Sequence, residues 1–213
     1  MTEQLREKLL AAVLSHVPFD GWSKAALKAA AQDVDVPLAT AEALYPGGVT
    51  DLIDAFYRWG DEQMLDAFHA GEEVAGLGPK VERLVRLRIE TCAQHKEAWR
   101  AAIGTLSMPY NLPKAAKIKM RTVDLIWKTA GDQSNDFSYY TKRATLAAIL
   151  SATVLFWLAD DSEGAEETWD FLKRRIADTA ALGKLRKKVE DRLGGKLAGG
   201  KRRWASSRRQ FSS

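Results

Sequence analysis

The chain has 213 residues, of which 46% are hydrophobic and 28% charged, as in a soluble globular protein rather than a disordered one. A single cysteine, Cys92, excludes an intramolecular disulfide and a cysteine-rich zinc site. The net charge of +4 is unevenly distributed. Residues 182–213 carry eleven basic and two acidic side chains, a charge of +9, which leaves −5 on residues 1–181.

Membrane and export signals are weak. The N-terminal residues lack the basic segment and apolar block of a signal peptide. The longest apolar run, residues 144–158, covers about 15 residues and fits a buried helix, since a membrane span needs about 20. We therefore expect an intracellular protein that is not integral to a membrane.

Helical periodicity recurs along the chain and strand patterns are nearly absent, so the sequence predicts an all-α fold. Three short helices come first: residues 3–15, residues 24–34 after the capping residue Ser23, and a third that follows Pro37. The second and third would form a helix-turn-helix-like pair. We assign residues 1–48 to this N-terminal module.

Longer helices follow and predict a helical bundle over residues 49–181. They are expected to begin at Thr50 and Pro79, to contain Trp99 and Leu106, and to cover residues 114–129, 139–159 and 163–181. The total of about nine to ten helices, short ones first, resembles the layout of TetR-type regulators, in which a small N-terminal module precedes a ligand-binding, dimerising bundle. Residues 182–213 form a basic, amphipathic or disordered tail.

The helix-turn-helix-like pair is acidic. Between Asp20 and Asp51 the sequence has five acidic residues and only two basic ones, Lys24 and Lys28. The expected recognition helix, residues 38–45, has no basic side chain, whereas DNA-reading helices need cations or amides that reach phosphates and base edges. We therefore expect no specific DNA binding, although the basic tail could hold nucleic acid nonspecifically.

Catalytic and metal-binding patterns are missing from the sequence. The histidines His16, His69 and His95 are far apart, and Asp66 with His69 supplies one half of a di-iron pattern that needs two. Neither a phosphate-binding glycine loop nor a nucleophile elbow occurs. We therefore expect no enzyme activity, no metal and no cofactor.

A polar and aromatic stretch, residues 130–143 (AGDQSNDFSYYTKR), lies between two long helical segments. Helix capping by Asp136 or Ser138 would explain its small polar residues but not its tyrosine pair and adjacent cations. The stretch resembles the signature of the Coq-nine family of TetR-like, lipid-binding accessory proteins of ubiquinone biosynthesis. Further similar segments are residues 109–113, 123–127, 144–148 and 168–172, within a weaker similarity over most of residues 5–180.

The resemblance implies a function that composition does not show. It implies a homodimer that binds an isoprenoid lipid or quinone intermediate in the bundle and presents it to a membrane-associated hydroxylase of ubiquinone synthesis. For a bacterial member it implies a cytoplasmic protein on the surface of the inner membrane. A divergent TetR-type regulator with a hydrophobic ligand is the second hypothesis, and an enzyme acting on quinones is the third.

The resemblance also implies where the hydroxylase binds, on the helix before the stretch and on the helix that the stretch starts. The expected contact residues are Asp124, Ile126, Trp127, Tyr139 and Tyr140. The family often has tryptophan at position 139, so the aromatic area is smaller here but retained. Rigid aromatic side chains beside a carboxylate also suit a partner-binding hot spot on physical grounds.

A polyprenyl quinone needs a site with aliphatic and aromatic walls. Nine large apolar residues on separate helices are candidates as a set, although each alone also fits ordinary core packing. They are Phe56, Trp59, Leu106, Met108, Met120, Trp127, Leu150, Phe156 and Trp157.

Residues 182–197 place apolar side chains near helical spacing among cations, as in a helix that lies on an anionic membrane surface. The expected membrane-binding residues are Lys184, Leu185, Arg186, Lys187, Lys188, Val189 and Leu193. Gly194 and Gly195 each weaken such a helix by about 1 kcal/mol, and a solvated tail is the alternative. Family members carry an amphipathic C-terminal membrane-binding helix, which this segment resembles.

Overall fold

The computed structural model describes residues 2–134 and 137–179. The basic tail, including every predicted membrane-binding residue, lies outside these ranges, as does Asp136, one of the two expected helix caps.

The described residues form α-helices and short 3-10 turns, which confirms the all-α prediction. The helices are α1 (Thr2–Asp20), α2 (Lys24–Asp33), α3 (Leu38–Leu44), α4 (Val49–Ala70), α5 (Leu77–Glu90), α6 (Lys96–Leu106), α7 (Leu112–Ala130), α8 (Phe137–Ala159) and α9, described over residues 166–179. The 3-10 turns are Ala93–His95, Pro109–Asn111 and Glu163–Ala165.

The N-terminal module has the predicted three helices, but α1 is longer than expected. It continues through Pro18 to Asp20, because a proline in the last turn removes only one backbone hydrogen bond. The helix ends at Gly21, whose φ of +63° suits glycine and whose N–H donates to the Val17 carbonyl at 2.9 Å. Ser23 caps α2 as predicted, with its Oγ accepting the Ala26 N–H at 3.1 Å.

The N-terminal module shares one hydrophobic core with the bundle. The indole N–H of Trp22 donates to the Ala98 carbonyl of α6 at 2.8 Å, and its ring lies 5.5 Å from that of Phe56. Buried side chains continue without a break from Leu9 in α1 to Leu172 in α9. Contacts with α2 and α6 therefore hold α1 in place.

The bundle is centred on α7, which packs against α4, α5, α6 and α8. Pro109 opens the 3-10 turn after α6, and Pro113 lies in the first turn of α7, where a missing N–H costs no hydrogen bond. The buried Asn111 holds this turn, since its amide donates to the Thr105 carbonyl at 2.9 Å. The turn brings α6 and α7 together around the cavity described below.

Helix α8 is more apolar than its neighbours. Within the described residues, Ser138–Ala159 is long and apolar enough to cross a membrane by length and composition alone, with a mean hydropathy of 1.3. The sequence predicted an apolar run of about 15 residues, residues 144–158, which underestimated the length of this segment. Helix α8 begins at Phe137, and its turns before residue 144 hold only two charges, Lys142 and Arg143. Core helices of soluble proteins meet the same criterion, and α8 packs against α7.

Candidate functional site

An apolar cavity of about 290 Å³ lies among α4, α5, α6, α7 and α8. Its walls come from side chains one or two helical turns apart, which share a face of each helix: Trp99, Ile103 and Leu106 on α6, for example. The complete lining is Tyr57, Arg88, Trp99, Ile103, Leu106, Ser107, Leu112, Ala115, Ile118, Lys119, Thr122, Leu150, Ser151, Val154 and Leu155.

The cavity has a buried end and an open end. At the buried end Trp99 and Thr122 are each 2% exposed and Arg88 is 1% exposed. At the open end Leu112 is 53% exposed and Leu155 is 57% exposed. The cavity therefore leads from solvent to a polar end inside the bundle.

Exposed apolar side chains continue beyond the open end. The 3-10 turn that leads into α7 exposes Met108 and Tyr110, next in sequence to the lining residues Ser107 and Leu112. Lys119 adds one exposed cation to the lining. Exposed apolar groups beside a cavity mouth favour an amphiphilic ligand that enters from a lipid surface.

A buried ion pair forms the polar end. Arg88 Nε donates to Asp61 Oδ1 at 2.8 Å, and its Nη2 donates to the Tyr57 carbonyl at 3.1 Å. Thr122 Oγ1 donates to the same carboxylate at 2.8 Å. Arg121 Nε lies 3.5 Å from the other oxygen of Asp61. Because Arg88 and Asp61 are both buried, removing either one would leave the charge of the other poorly compensated in the core.

Aromatic rings and a thiol surround the guanidinium. Arg88 Cζ lies 5.0 Å from the ring centre of Trp99 and 5.4 Å from that of Tyr57, distances typical of cation–π contacts. Its Nη1 donates to Cys92 Sγ at 3.3 Å. Burial raises the pKa of Cys92, so this thiol stays protonated at neutral pH, and burial raises the pKa of Tyr57 to about 12.

Two of the nine predicted lipid-binding residues, Leu106 and Leu150, line the cavity. The other seven lie outside its described lining. Phe56 and Trp59 stack in the core, Trp157 packs edge-on against Trp99, and Phe156 stacks on Phe171. Met108 and Met120 are exposed, and Trp127 lies at the junction of α7 and α8. The structure does not bring these seven residues into the described lining, and their contact with a lipid stays a prediction.

Sequence reasoning missed most of the actual wall. The spacing of Trp99, Ile103 and Leu106 was visible, but it does not distinguish a core face from a cavity face. The best available signal was Arg88, which occupies an inward position of α5 between Leu84 and Cys92. A charged residue on an apolar helix face indicates a buried polar site.

The second region of interest is the α7–α8 corner, the junction formed by the last two turns of α7, the connecting residues and the first two turns of α8. Gly131 ends α7 in the left-handed conformation, with φ of +92°. Asp132 follows, and its carboxylate accepts hydrogen bonds from Ser134, at 2.6 Å, and from Lys142. Burial alone would raise the pKa of Asp132, but the hydrogen bonds from Lys142 and Ser134 lower it below its ordinary value.

Arg143 joins the two helices of the corner. Its Nε donates to Asp124 Oδ1 at 2.7 Å, and its Nη1 lies 3.4 Å from Asp132. The guanidinium carbon lies 3.3 Å from the ring centre of Tyr139, whose hydroxyl donates to Asp124 at 3.2 Å. Burial would raise the pKa of Asp124, but hydrogen bonds from Lys128 and Arg143 lower it. The cations of the stretch therefore stabilise the corner.

The predicted partner-contact residues differ in exposure. Tyr140 is 71% exposed, whereas Tyr139 is half-buried and held by Arg143 and Asp124. Trp127 is half-buried, and its indole N–H donates to the Lys142 carbonyl at 3.3 Å. Ile126 is completely buried. The prediction that Ile126 contacts a partner is wrong, because its position on α7 faces the core.

Among residues 2–134 and 137–179, His, Cys, Asp and Glu form no group of three or more that could hold a metal ion. His16 Nε2 lies 2.6 Å from Asp33 Oδ2, a contact that links α1 to α2.

Two solved structures illustrate the similarity in fold. A TetR transcriptional regulator from Nitrosomonas europaea aligns with a TM-score of 0.66 and 20% identity over 83% of this chain and 98% of that chain. The multidrug binding protein EbrR aligns with a TM-score of 0.52 and 21% identity over 81% of this chain and 90% of its own. The fold is therefore TetR-like.

Sequence comparison places known proteins of one family beside this chain. The COQ9 family model matches residues 112–183. The mitochondrial ubiquinone biosynthesis protein COQ9 of Xenopus tropicalis is 34% identical over 195 residues, and that of Homo sapiens is 33% identical over 196 residues. Each alignment covers 88% of this chain and 61% of the relative, so the chain spans about three fifths of the length of these relatives. The chain is therefore similar to COQ9 proteins over 88% of its length, which confirms the resemblance of its α7–α8 corner to the Coq-nine family.

Proposed function

We propose that this chain is a non-enzymatic, lipid-binding accessory protein of ubiquinone biosynthesis. In this proposal it binds an isoprenoid quinone intermediate and presents it to a membrane-associated hydroxylase. The observation that carries the proposal is the apolar cavity, which opens beside the exposed Met108, Tyr110 and Leu112. Similarity to relatives that are named ubiquinone biosynthesis proteins supplies the pathway.

The cavity is small for a complete polyprenyl quinone. Its volume of about 290 Å³ is close to the lower limit of ligand pockets, roughly 300 Å³. A long ligand would therefore place one end inside and leave the remainder near the exposed apolar mouth. Such partial enclosure suits a protein that transfers a lipid rather than one that stores it.

Lipid mass spectrometry of the natively purified full-length chain tests the binding. We expect an isoprenoid or quinone in the wild type, and depletion of that lipid in Ala115→Phe, which fills the cavity. Ala116→Phe is the matched control, because Ala116 is exposed and outside the lining. Repeatedly lipid-free wild-type protein, or equal lipid in both variants, would contradict the proposal.

The hydroxylase would bind at the α7–α8 corner. Tyr140 offers an exposed aromatic side chain, and its ring lies 5.2 Å from that of Tyr139, which the ion pairs of the corner hold in place. A fixed aromatic pair suits a partner contact because little side-chain entropy remains to be lost. A TetR-like homodimer and a location on the cytoplasmic face of an anionic inner membrane belong to the same proposal.

A divergent TetR-type regulator with a hydrophobic ligand is the alternative, and the similarity to TetR regulators favours it. Against it, α3 has no basic residue and carries Glu42. The alternative requires sequence-selective DNA binding at physiological salt, which fluorescence anisotropy with genomic fragments would detect.

A further inference from the structure

The buried end of the cavity contains a hydrogen-bond donor without a partner. Trp99 lines the cavity and is 2% exposed. Among the described residues, its indole Nε1 is buried and has no hydrogen-bond acceptor. By contrast, Trp22 and Trp169 donate to backbone carbonyls, each at 2.8 Å. An unpaired buried donor destabilises the unliganded protein, so a ligand that supplies an acceptor would recover this cost.

The charge balance around Trp99 limits the kind of acceptor. The Arg88 guanidinium lies 5.0 Å from the Trp99 ring and pairs with Asp61 at 2.8 Å. Arg121 also approaches Asp61 at 3.5 Å and pairs with Asp54, so two cations are balanced by two carboxylates. A ligand anion would therefore add an uncompensated negative charge near Asp61. A neutral oxygen adds no charge and still accepts the indole N–H.

We propose that Trp99 determines ligand specificity by donating its indole N–H to a neutral carbonyl or ether oxygen of the ligand head group. This proposal rests on the proposed function and narrows the ligand to neutral, oxygen-bearing amphiphiles such as quinones. It also orients the ligand. The head group lies at the buried end beside Trp99 and Arg88, and the apolar tail leaves past Leu112 and Leu155.

Three probes with linear tails of nine or ten carbons separate the contribution of the head group from that of the tail. Decylubiquinone has a neutral dimethoxy quinone head group. Decylbenzene lacks an acceptor oxygen, and decanoic acid is anionic. Isothermal titration calorimetry of the full-length chain with each probe measures the affinities. We expect the quinone to bind most tightly.

Trp99→Phe removes the donor and keeps an aromatic ring in the wall. We expect it to weaken decylubiquinone about threefold to tenfold, the value of one hydrogen bond, and to leave decylbenzene nearly unchanged. Trp169→Phe is the matched control, because Trp169 lies on α9 outside the lining and donates its indole N–H to the Gly164 carbonyl. It should change neither affinity.

The wild-type chain supplies a second measurement if Trp99→Phe does not fold. In a nitrogen-15 NMR spectrum, decylubiquinone should move the Trp99 indole N–H resonance downfield, as hydrogen bonding requires, and decylbenzene should not. Two results would overturn this inference but leave the lipid-binding function intact. One is equal affinity for decylbenzene and decylubiquinone, and the other is tighter binding of decanoic acid than of decylubiquinone. Failure of all three probes to bind would overturn both.

Discussion

Replacing Gly60 with alanine should destabilise the protein, although the same change inside an exposed helix normally stabilises it by about 0.5–1 kcal/mol. Gly60 lies inside α4, where that helix meets α5. A Cβ atom there would lie 2.6 Å from Arg88 Nη1 and 2.8 Å from both Arg88 Cζ and Cys92 Sγ. Real Cβ atoms essentially never approach other atoms so closely, so a neighbour must move.

The guanidinium cannot move without losing its contacts. Arg88 is 1% exposed and bonds to Asp61, Cys92 and the Tyr57 carbonyl. If the helices separate slightly and preserve these bonds, overpacking should cost about 1–3 kcal/mol. If the pair with Asp61 breaks, the loss should approach about 3–5 kcal/mol.

Urea unfolding followed by circular dichroism measures the difference. Gly104→Ala is the matched control, because Gly104 is an exposed glycine of α6 and its Cβ would meet nothing within 4 Å. We expect Gly104→Ala to gain about 0.5–1 kcal/mol and Gly60→Ala to lose at least about 1 kcal/mol. A comparable gain in both variants would refute the close approach of α4 to the guanidinium.

Three further predictions concern other contacts. Arg88→Met should lower the free energy of unfolding by about 3–5 kcal/mol, because it removes the buried partner of Asp61 and leaves Arg121 at 3.5 Å. Adding Asp61→Leu should restore most of the loss; urea unfolding of both variants checks this, and an unrestored double variant contradicts it. Burial would raise the pKa of Asp160, but hydrogen bonds from Ser162 and Thr168 lower it to about 2. The ionised carboxylate therefore stabilises the fold above the unfolded pKa of about 3.9, and this stabilisation is lost as pH falls toward 2. Asp160→Asn should therefore unfold more easily at neutral pH and lose less stability on acidification, and acid denaturation curves parallel to the wild type would count against this. Tyr140→Ala should leave stability within about 0.5 kcal/mol but weaken hydroxylase binding about tenfold in a pull-down titration, and unchanged binding would remove Tyr140 from the proposed contact.

The helices could be predicted because their signals are local. Apolar spacing, the Ser23 cap and the prolines before α7 depend on neighbouring residues, and the structure reproduces them within a few residues. The end of α1 could not be placed. It depends on the positive φ of Gly21, which a glycine allows but does not require.

The cavity could not be located from the sequence, because its position depends on which helix faces meet. Trp99 and Trp157 are both buried tryptophans, yet of the two it is Trp99 that lines the cavity, and Trp157 packs against it. The contacts of the cations in the α7–α8 corner could not be predicted from the sequence either. Lys142 and Arg143 read as surface groups, but both bond to Asp132, whose side chain is 2% exposed.

The most direct test of the lipid-binding account is the ubiquinone content of a deletion strain that carries variants of this chain. Wild type and the control Ala116→Phe should restore ubiquinone. The cavity-filling Ala115→Phe, at equal protein level, should leave quinone precursors accumulated. Full restoration of ubiquinone by Ala115→Phe would contradict the claim that the cavity holds the quinone intermediate.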